Sequence, residues 1–248
     1  MTWAAVKSAI VRSGLLPSCY MWPNPFKIME FEQMLRGVEI RPGELILDLG
    51  CGGGPQDFVL AKHGCRIVGI DPAPDQIEKA TRLARTWAPG RPLDLRCTTI
   101  EGAGFASHQF DKVFSFSVLE HIANRDEVLD TIARVLKPGG DLIFSCDSMA
   151  TLTDPGRRVR HRAIGHVLTY FTEAELREML TRRGFGPIRI RSLFKSPYSL
   201  RVFEAAIDRS FAFHRYRKFL ALLRMKFEEV RHRDRQPGLF LLIHAVKQ

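Results

Sequence analysis

LILDLGCGGGPQDF, residues 45–58, joins an apolar stretch to a glycine-rich loop and then to a segment with helical spacing. Four of the five residues 50–54 are glycine, and each glycine loses much conformational entropy when the chain folds. Such a loop directly after a strand is typical of sites where a ligand approaches backbone that a Cβ atom would shield. The helix that begins near Pro55 points the positive end of its dipole at the same place. The stretch therefore predicts a ligand site at the end of the first strand.

An acidic residue follows at a separation that helps to define this ligand. Asp71 stands twenty-one residues after Gly50, at the end of the predicted second strand RIVGID (66–71). An acid at this distance is placed to accept hydrogen bonds from both hydroxyls of a ribose. A dinucleotide loop of the G-x-G-x-x-G type needs a third glycine at the position that Pro55 occupies. The pattern therefore indicates a nucleoside-containing ligand and argues against a dinucleotide.

Short β-branched runs alternate with helical stretches along most of the chain. This alternation predicts a doubly wound α/β fold with a mostly parallel sheet. Strands are predicted at 44–50, 66–71, 93–99, 110–117, 141–148, 187–194 and 239–247. Helical stretches are predicted at 55–64, 74–87, 125–140 and 172–186, and over most of 198–235, and the KPGG sequence at 137–140 is a stop signal for the third of these helices. Thr172 and Glu175 form the sequence of a capping box, and the basic stretch after residue 149 is expected to be a polar connection.

Composition favours a globular protein of the reducing cytoplasm. The 248 residues are 45% hydrophobic and 26% charged, which suits one large α/β domain. No apolar run approaches the roughly 20 residues that span a bilayer. Residues 1–20 predict a short amphipathic helix and no signal peptide. The five cysteines are scattered without a CxxC pair, which argues against disulfides and a zinc site.

The net charge of +10 is concentrated in one segment. Residues 1–156 contain 16 basic and 19 acidic residues, whereas residues 157–235 contain 20 basic and 8 acidic residues. Such asymmetry indicates an anionic partner, which can be nucleic acid, lipid headgroups or an acidic substrate.

The segment ILDLGCGGG (46–54) resembles the first motif of the class I S-adenosylmethionine-dependent methyltransferases. Other segments resemble this family's later motifs in the same order: VGIDPAPDQIEKA (68–80), FDKVFSFSVLEHI (110–122), VLKPGGDLIFS (135–145) and LTYFTEAELREMLTRRGF (168–185). Within the family, the chain resembles the type 11 methyltransferases of small-molecule, quinone and lipid pathways. The resemblance implies a Rossmann-like, seven-stranded, mostly parallel sheet whose last strand is antiparallel. It also implies S-adenosylmethionine as the cofactor and S-adenosylhomocysteine as the product.

The resemblance implies roles for the residues of the loop and the second strand. Gly50 and Gly52, with Cys51 between them, would approach the amino-acid end of the cofactor. Asp71 would hold the ribose. Asp48 would order the glycine loop rather than contact the acceptor.

At the adenine end, the resemblance places Pro72 and Ile100 on the two faces of the ring. The acid that many relatives carry near the adenine amine aligns with Thr99, which is not acidic. Either the Thr99 hydroxyl or the Glu101 carboxylate would therefore take this role.

At the methyl end, Ser115 and Phe116 would form the wall beside the reactive group. Methyl transfer from a sulfonium is an in-line displacement that depends mainly on alignment. A base is needed only for a hydroxyl or protonated amine. His121 is the candidate base, with positioning of the cofactor as the alternative, and His166 and Tyr170 are further candidates for catalysis.

Acceptor binding is predicted for His166 and Tyr170 and for Tyr20 and Trp22 of the N-terminal segment. The aromatic stretch 19–35 either folds over the cofactor as a lid or packs into the core, together with Phe26 and Phe31. No metal is predicted, because His, Cys and carboxylates do not cluster at ligand spacing. The residues SFSV also stand before Leu-Glu-His, where related quinone-pathway enzymes carry additional acids.

The chain divides into four predicted regions: an N-terminal helical segment and candidate lid (1–40), a cofactor-binding core (41–197), a basic helical insertion or cap (198–236) and a final core strand (237–248). The insertion is read as a cap, as a surface for anionic membrane or a lipid-like acceptor, or as a nucleic-acid site. Nucleic acid is disfavoured because neither an Asn/Asp-Pro-Pro-aromatic motif nor a paired-cysteine arrangement is present.

The favoured function is methyl transfer to a small, hydrophobic or lipid-like acceptor in the cytoplasm or at the inner face of a membrane. The alternatives are an RNA methyltransferase and a catalytically silent cofactor-binding module.

Overall fold

A seven-stranded sheet organises the protein, and its strand order places a crevice beside the glycine loop. The computed structural model describes residues 24–212, 215–232 and 236–248. The strands are β1 (Leu45–Leu49), β2 (Arg66–Asp71), β3 (Leu93–Cys97), β4 (Phe110–Phe116), β5 (Leu136–Asp147), β6 (Phe185–Leu193) and β7 (Phe240–Lys247). They lie in the order β3-β2-β1-β4-β5-β7-β6. The order reverses between β1 and β4, and ligands of open α/β sheets bind at such a switch point.

The pairing pattern confirms the expected sheet. The strands β1 to β5 pair in parallel, whereas β7 lies antiparallel to both β5 and β6. The helices are α1 (Pro25–Leu35), α2 (Pro55–Leu60), α3 (Pro74–Trp87), α4 (Arg125–Val135), α5 (Pro155–Gly165), α6 (Glu173–Thr181), α7 (Pro197–Asp208) and α8 (Arg215–Arg231). Short 3₁₀ turns follow at Ala61–His63 and Leu119–His121. The capping box of α6 forms as predicted, with both reciprocal hydrogen bonds between Thr172 and Glu175.

Two elements differ from the sequence prediction. The helix expected to stop at KPGG (137–140) ends earlier, at Val135, because Leu136 already pairs with Phe110 as the first residue of β5. The stretch expected to be a polar connection contains α5, which begins at an Asp154 cap that accepts a hydrogen bond from the backbone N–H of Arg157 at 2.8 Å. His161 is the one buried residue of α5, so the helix carries no apolar periodicity.

The sheet separates two apolar layers, because successive side chains of a strand point to opposite faces. One layer packs against α4 and α6, and the other packs against α1, α7 and α8. In the second layer, the Phe26 ring lies 4.8 Å from Phe194 and 5.2 Å from Phe203, centroid to centroid. Of the two alternatives for the stretch 19–35, core packing therefore applies to Phe26 and to the equally buried Phe31.

The predicted amphipathic helix at 1–20 and the candidate acceptor residues Tyr20 and Trp22 lie outside the described residues. Among the helices that are described, none has the length and apolar character needed to cross a bilayer.

Candidate functional site

A cavity of about 740 Å³ opens where β1, β2 and β4 end. This volume lies within the range of small-molecule and cofactor sites, roughly 300–1,000 Å³. Eight of its lining residues are among those that sequence analysis singled out: Gly50, Asp71, Pro72, Thr99, Ile100, Glu101, Phe116 and His121. The switch point thus brings together residues from five separate segments of the chain.

The glycine loop makes room for a close approach of β4 to β1. Gly50 has φ +75°, and a Cβ atom at this position would collide with the side chain of Val118. The N–H groups of Gly50 and Cys51 both donate to the carbonyl oxygen of Ile70, at 2.9 and 3.0 Å. These two N–H groups therefore anchor the loop to β2. Of the loop residues 50–54, Gly50 lines the cavity.

Asp71 connects the loop to the sugar side of the cavity. Its Oδ2 accepts a hydrogen bond from the N–H of Gly52 at 3.0 Å, and its Oδ1 accepts one from the N–H of Ala73 at 2.9 Å. An ionised carboxylate has about four acceptor positions. Each oxygen therefore keeps one for a ligand hydroxyl, and the backbone fixes the orientation of both.

Beneath the loop, Asp48 lies fully buried and does not line the cavity. Its Oδ2 accepts a hydrogen bond from Nε2 of Gln56, which also donates to the carbonyl oxygen of Cys51, both at 2.8 Å. Burial raises the pKa of Asp48 to about 6 and the pKa of the neighbouring Asp57 well above its usual range. The protonated form of Asp57 is therefore favoured beside Asp48. Asp48 reaches the glycine loop from below through Gln56, and its predicted role in ordering the loop stays a prediction.

At the predicted adenine end, Thr99 and Glu101 both line the cavity but differ in their hydrogen bonds. The Thr99 hydroxyl accepts a hydrogen bond from the N–H of Gly102 at 3.3 Å. The Glu101 carboxylate lines the cavity and accepts from Nδ2 of Asn124 at 2.8 Å. Because Asn124 also lines the cavity, it holds the acidic group at the mouth. Ile100 is buried, whereas Pro72 is exposed at the rim.

At the opposite end, Phe116 lines the cavity, whereas Ser115 is buried behind it. The next residue, Ser117, has φ +52° and donates its hydroxyl hydrogen to Oε1 of Glu30 at 2.5 Å. Glu30 is fully buried on α1, and its Oε2 lies 3.3 Å from Nζ of Lys27. Sequence analysis missed Ser117 and Glu30. Ser117 belongs to the SFSV sequence, which stands where related enzymes carry acids and could have drawn attention to this residue, but no local pattern marks Glu30.

His121 lines the cavity at the end of its 3₁₀ turn. Its Nδ1 lies 3.3 Å from the carbonyl oxygen of His166, which can only accept, so Nδ1 carries the proton and Nε2 keeps a lone pair. Partial burial lowers the pKa of His121 below its ordinary value of 6.5. The ring is therefore neutral at pH 7. The contribution of His166 to this arrangement is its backbone carbonyl, since its side chain does not line the cavity.

Tyr170 lies in a second polar group and does not line the cavity. Its hydroxyl is 3.0 Å from Nδ1 of His161 and donates to the carbonyl oxygen of Arg158 at 3.2 Å. Nε2 of His161 is in turn 3.8 Å from Oδ2 of Asp147 at the end of β5. Burial lowers the pKa of His161 to about 4 and raises the pKa of Asp147 to about 7. Tyr170 thus belongs to a polar group with Asp147 and His161, and its predicted contact with the acceptor stays a prediction.

Glu120, directly before His121, is also buried, and one of its oxygens has no hydrogen-bond partner among the described residues. Burial and the charge of Asp147 raise the pKa of Glu120 well above its usual range. The protonated form of Glu120 is therefore favoured. Within the described part of the chain, no three His, Cys, Asp or Glu side chains are arranged to hold a metal ion.

The fold and the cavity define an α/β protein built to hold a nucleoside-containing cofactor at its switch point. Residues 47–144 match the family described as methyltransferase domain. The ubiquinone biosynthesis O-methyltransferase of Roseobacter denitrificans is 31% identical over 185 residues, which cover 68% of this chain and 71% of that protein. The chain belongs to the class I S-adenosylmethionine-dependent methyltransferases.

Other matches are shorter or concern the fold alone. The ubiquinone biosynthesis O-methyltransferase of Methylobacterium sp. (strain 4-46) is 38% identical over 116 residues, 47% of this chain. Across five such relatives, the chain spans 39–45% of the relative's length. Phosphoethanolamine N-methyltransferase 2 of Haemonchus contortus superposes with a TM-score of 0.62 at 19% identity, covering 88% of this chain and 52% of that one. The [4+2]-cyclase SpnF superposes with a TM-score of 0.65 at 20% identity, covering 88% and 80%.

Proposed function

We propose that the protein transfers a methyl group from S-adenosylmethionine to a hydroxyl of a small, hydrophobic acceptor. The joint placement of Gly50 and Asp71 on one cavity at the switch point carries this proposal. Relatives that are named as O-methyltransferases of ubiquinone biosynthesis support oxygen as the methylated atom and a quinone-like ring as the acceptor class.

The residues present fit this cofactor. At Gly50, a Cβ atom would collide with Val118, so the backbone there is kept bare beside the cavity. Asp71 has free acceptor positions for the ribose hydroxyls, and Ile100 offers an apolar face to adenine. Glu101 is an acceptor for the adenine amine, and Phe116 closes the methyl end. When bound, S-adenosylmethionine supplies a methyl group on a positively charged sulfur, which is already a good leaving group.

His121 is the group that takes up the proton in this proposal. Its neutral ring and the lone pair on Nε2 suit a base for a phenolic hydroxyl. S-adenosylmethionine held by Asp71 and Glu101 would supply the methyl group, and Nε2 of His121 would take up the proton that the acceptor hydroxyl loses on methylation. The hydrogen bond from Nδ1 to the carbonyl of His166 fixes the ring during this transfer.

We also propose, from the charge distribution, that the enzyme meets its acceptor at a membrane surface. The excess of basic residues over 157–235 favours contact with the anionic headgroups of a membrane, in which a hydrophobic acceptor would be dissolved.

The test is to incubate the purified protein with isotopically labelled S-adenosylmethionine and catechols that carry alkyl chains of increasing length. We expect a methyl ether product, identified by mass spectrometry, with turnover that rises with chain length. Binding of S-adenosylmethionine in calorimetry without turnover of any hydroxyl, amine or thiol acceptor would indicate a silent cofactor-binding module. The likeness to a cyclase makes this control necessary, because the fold alone does not determine the reaction.

A further inference from the structure

The helix α8 presents an apolar stripe to solvent. Its inward face packs into the core through Leu222 and Met225, which are buried. A second set of apolar residues points away from the core: Phe219 (50% exposed), Leu220 (67%), Leu223 (49%), Phe227 (61%) and Val230 (84%). At 3.6 residues per turn, these five positions fall on one continuous stripe. They make up five of the seven large apolar side chains that are strongly exposed in the described part of the protein.

Basic residues border this outward stripe. By helical position, Arg224 and Arg231 lie along one border, and Lys226, which pairs with Glu32, lies along the other. The Arg231 guanidinium lies 5.1 Å from the centre of the Phe227 ring. Over residues 215–235 the sequence contains 8 basic and 3 acidic residues. The surface therefore combines an apolar centre with a cationic rim.

The rest of the protein holds the helix in place. Nζ of Lys195 lies 3.5 Å from Oε1 of Glu229, and Nζ of Lys226 lies 2.5 Å from Oε2 of Glu32 on α1. With Leu222 and Met225 buried, these ion pairs fix which face of α8 looks outward. The stripe is thus presented by a supported helix.

We infer that the outward stripe of α8 docks the protein on an anionic lipid bilayer, with the helix lying in the plane of the headgroups. Seventeen residues of helix extend about 25 Å, which suits an interfacial helix with an apolar face and a basic rim. The apolar side chains enter the boundary of the acyl region, and Arg224 and Arg231 meet the lipid phosphates. The inference rests on the membrane contact in the proposed function, and it does not depend on methyl transfer.

Charge favours a bilayer over the other occupants of such a stripe. A second copy of the chain would pair in a two-fold contact, which places the same cationic borders opposite each other. A nucleic acid would neutralise the cations, but its phosphates would leave the five apolar side chains exposed to water. An anionic bilayer provides acyl chains for the apolar stripe and phosphates for the basic residues beside it.

The test is flotation of the full-length protein with vesicles of phosphatidylcholine, alone or mixed with phosphatidylglycerol. We expect binding to the mixed vesicles that weakens as salt is added. The double variant Leu223→Ser/Phe227→Ser should lower the partition coefficient at least tenfold, because two apolar groups lose their contact with lipid. Each of Arg224→Ser and Arg231→Ser should lower it about fivefold.

Two matched controls separate this surface from general effects. Arg82→Ser/Arg85→Ser removes two exposed cations from α3, and Val159→Ser removes an exposed apolar side chain from α5. Both controls should float like the wild type. Affinity for S-adenosylmethionine should be unchanged in all variants, so a failure of methyl transfer would be recognised separately.

The inference is overturned if the wild type does not bind the mixed vesicles, or if the controls lose as much binding as the α8 variants. It is also overturned if Leu223→Ser/Phe227→Ser converts a dimer to a monomer without changing flotation. Binding of RNA that competes with vesicles and is lost equally in the arginine variants, while Leu223→Ser/Phe227→Ser floats normally, would likewise contradict it.

Discussion

Oδ2 of Asp71 accepts a hydrogen bond from the backbone N–H of Gly52 at 3.0 Å, so the acid at the end of β2 and the loop after β1 form one unit. The second oxygen of Asp71 is held by the N–H of Ala73. Removal of this carboxylate therefore affects the loop as well as any sugar that binds there. Two backbone donors would also lose their partner.

The first prediction concerns this carboxylate. Asp71→Ala should weaken the binding of S-adenosylmethionine at least tenfold in calorimetry, because the loop and the ribose lose the same acceptor. Asp75→Ala, which removes an exposed carboxylate from the first turn of α3, is the control and should bind normally. Unchanged affinity in Asp71→Ala would remove the assignment of this residue to the ribose.

The two glycines of the loop should respond differently to alanine. Both have positive φ, which costs roughly 1–2 kcal/mol for an L residue. At Gly52 a Cβ atom would make only an ordinary contact, 4.0 Å from Oε1 of Gln76, whereas at Gly50 it would collide with Val118. Gly52→Ala should therefore lower the free energy of unfolding by about that amount, and Gly50→Ala by more.

Chemical denaturation measures this difference. The double variant Gly50→Ala/Val118→Ala should be less destabilised than the sum of the two single changes, because the shorter side chain relieves the collision. If Gly50→Ala costs no more than Gly52→Ala, β4 does not approach β1 as closely as the structure describes.

Much of this site could be predicted because its signals are local. The spacing from Gly50 to Asp71 is set by one strand-helix-strand unit, and the predicted bounds of β2 and α3 agree with the structure. Glu30 could not be predicted, since its partner Ser117 lies 87 residues away. An acceptor role was predicted for Tyr170 because the stretch after residue 149 was read as a polar connection over the acceptor site, whereas it contains α5, which carries its partner His161. Contacts between distant segments therefore account for what the sequence did not reveal.

The third prediction separates the two candidates at the adenine end. Glu101→Ala should weaken S-adenosylmethionine several-fold, because the cavity loses a carboxylate that Asn124 holds in place. Thr99→Val should have a smaller effect, since this hydroxyl accepts from the backbone of Gly102. Inosine-containing cofactor, which lacks the adenine amine, should bind wild type and Glu101→Ala equally. A larger effect of Thr99→Val in calorimetry would reverse the assignment.

His121 gives a fourth prediction with a pH dependence. Its pKa lies below 6.5, so kcat should rise with pH through that pKa and be level at neutral pH. His121→Ala should lower kcat about 10²-fold or more while leaving cofactor affinity unchanged. His166→Asn keeps the backbone carbonyl and tolerates its left-handed φ of +53°, so it should remain active. A collapse of cofactor affinity in His121→Ala would instead show a positioning role.

The fifth prediction concerns Asp147 and His161, whose side chains lie 3.8 Å apart. The folded pKa of Asp147 is raised from 3.8 to about 7, so its protonated form stabilises the fold, and this contribution is lost as pH rises from about 4 to 7. The folded pKa of His161 is lowered from 6.5 to about 4, so stability is lost as pH falls from about 6.5 to 4. Between about pH 4 and 6.5, the contributions of Asp147 and His161 to the free energy of unfolding therefore change in opposite directions.

Single substitutions should separate the two contributions in urea denaturation at several pH values. Relative to wild type, Asp147→Asn should gain free energy of unfolding as pH rises from 4 to 7, because the variant carries no carboxyl that must stay protonated. His161→Gln should gain relative to wild type as pH falls from 6.5 to 4, because no imidazole must stay neutral. Each difference should change by up to about 1.4 kcal/mol per pH unit. The exposed counterparts Asp75→Asn and His63→Gln should run parallel to wild type. If the pH curves of Asp147→Asn and His161→Gln also run parallel to that of wild type, the folded protein does not favour a protonated Asp147 and a neutral His161 as argued.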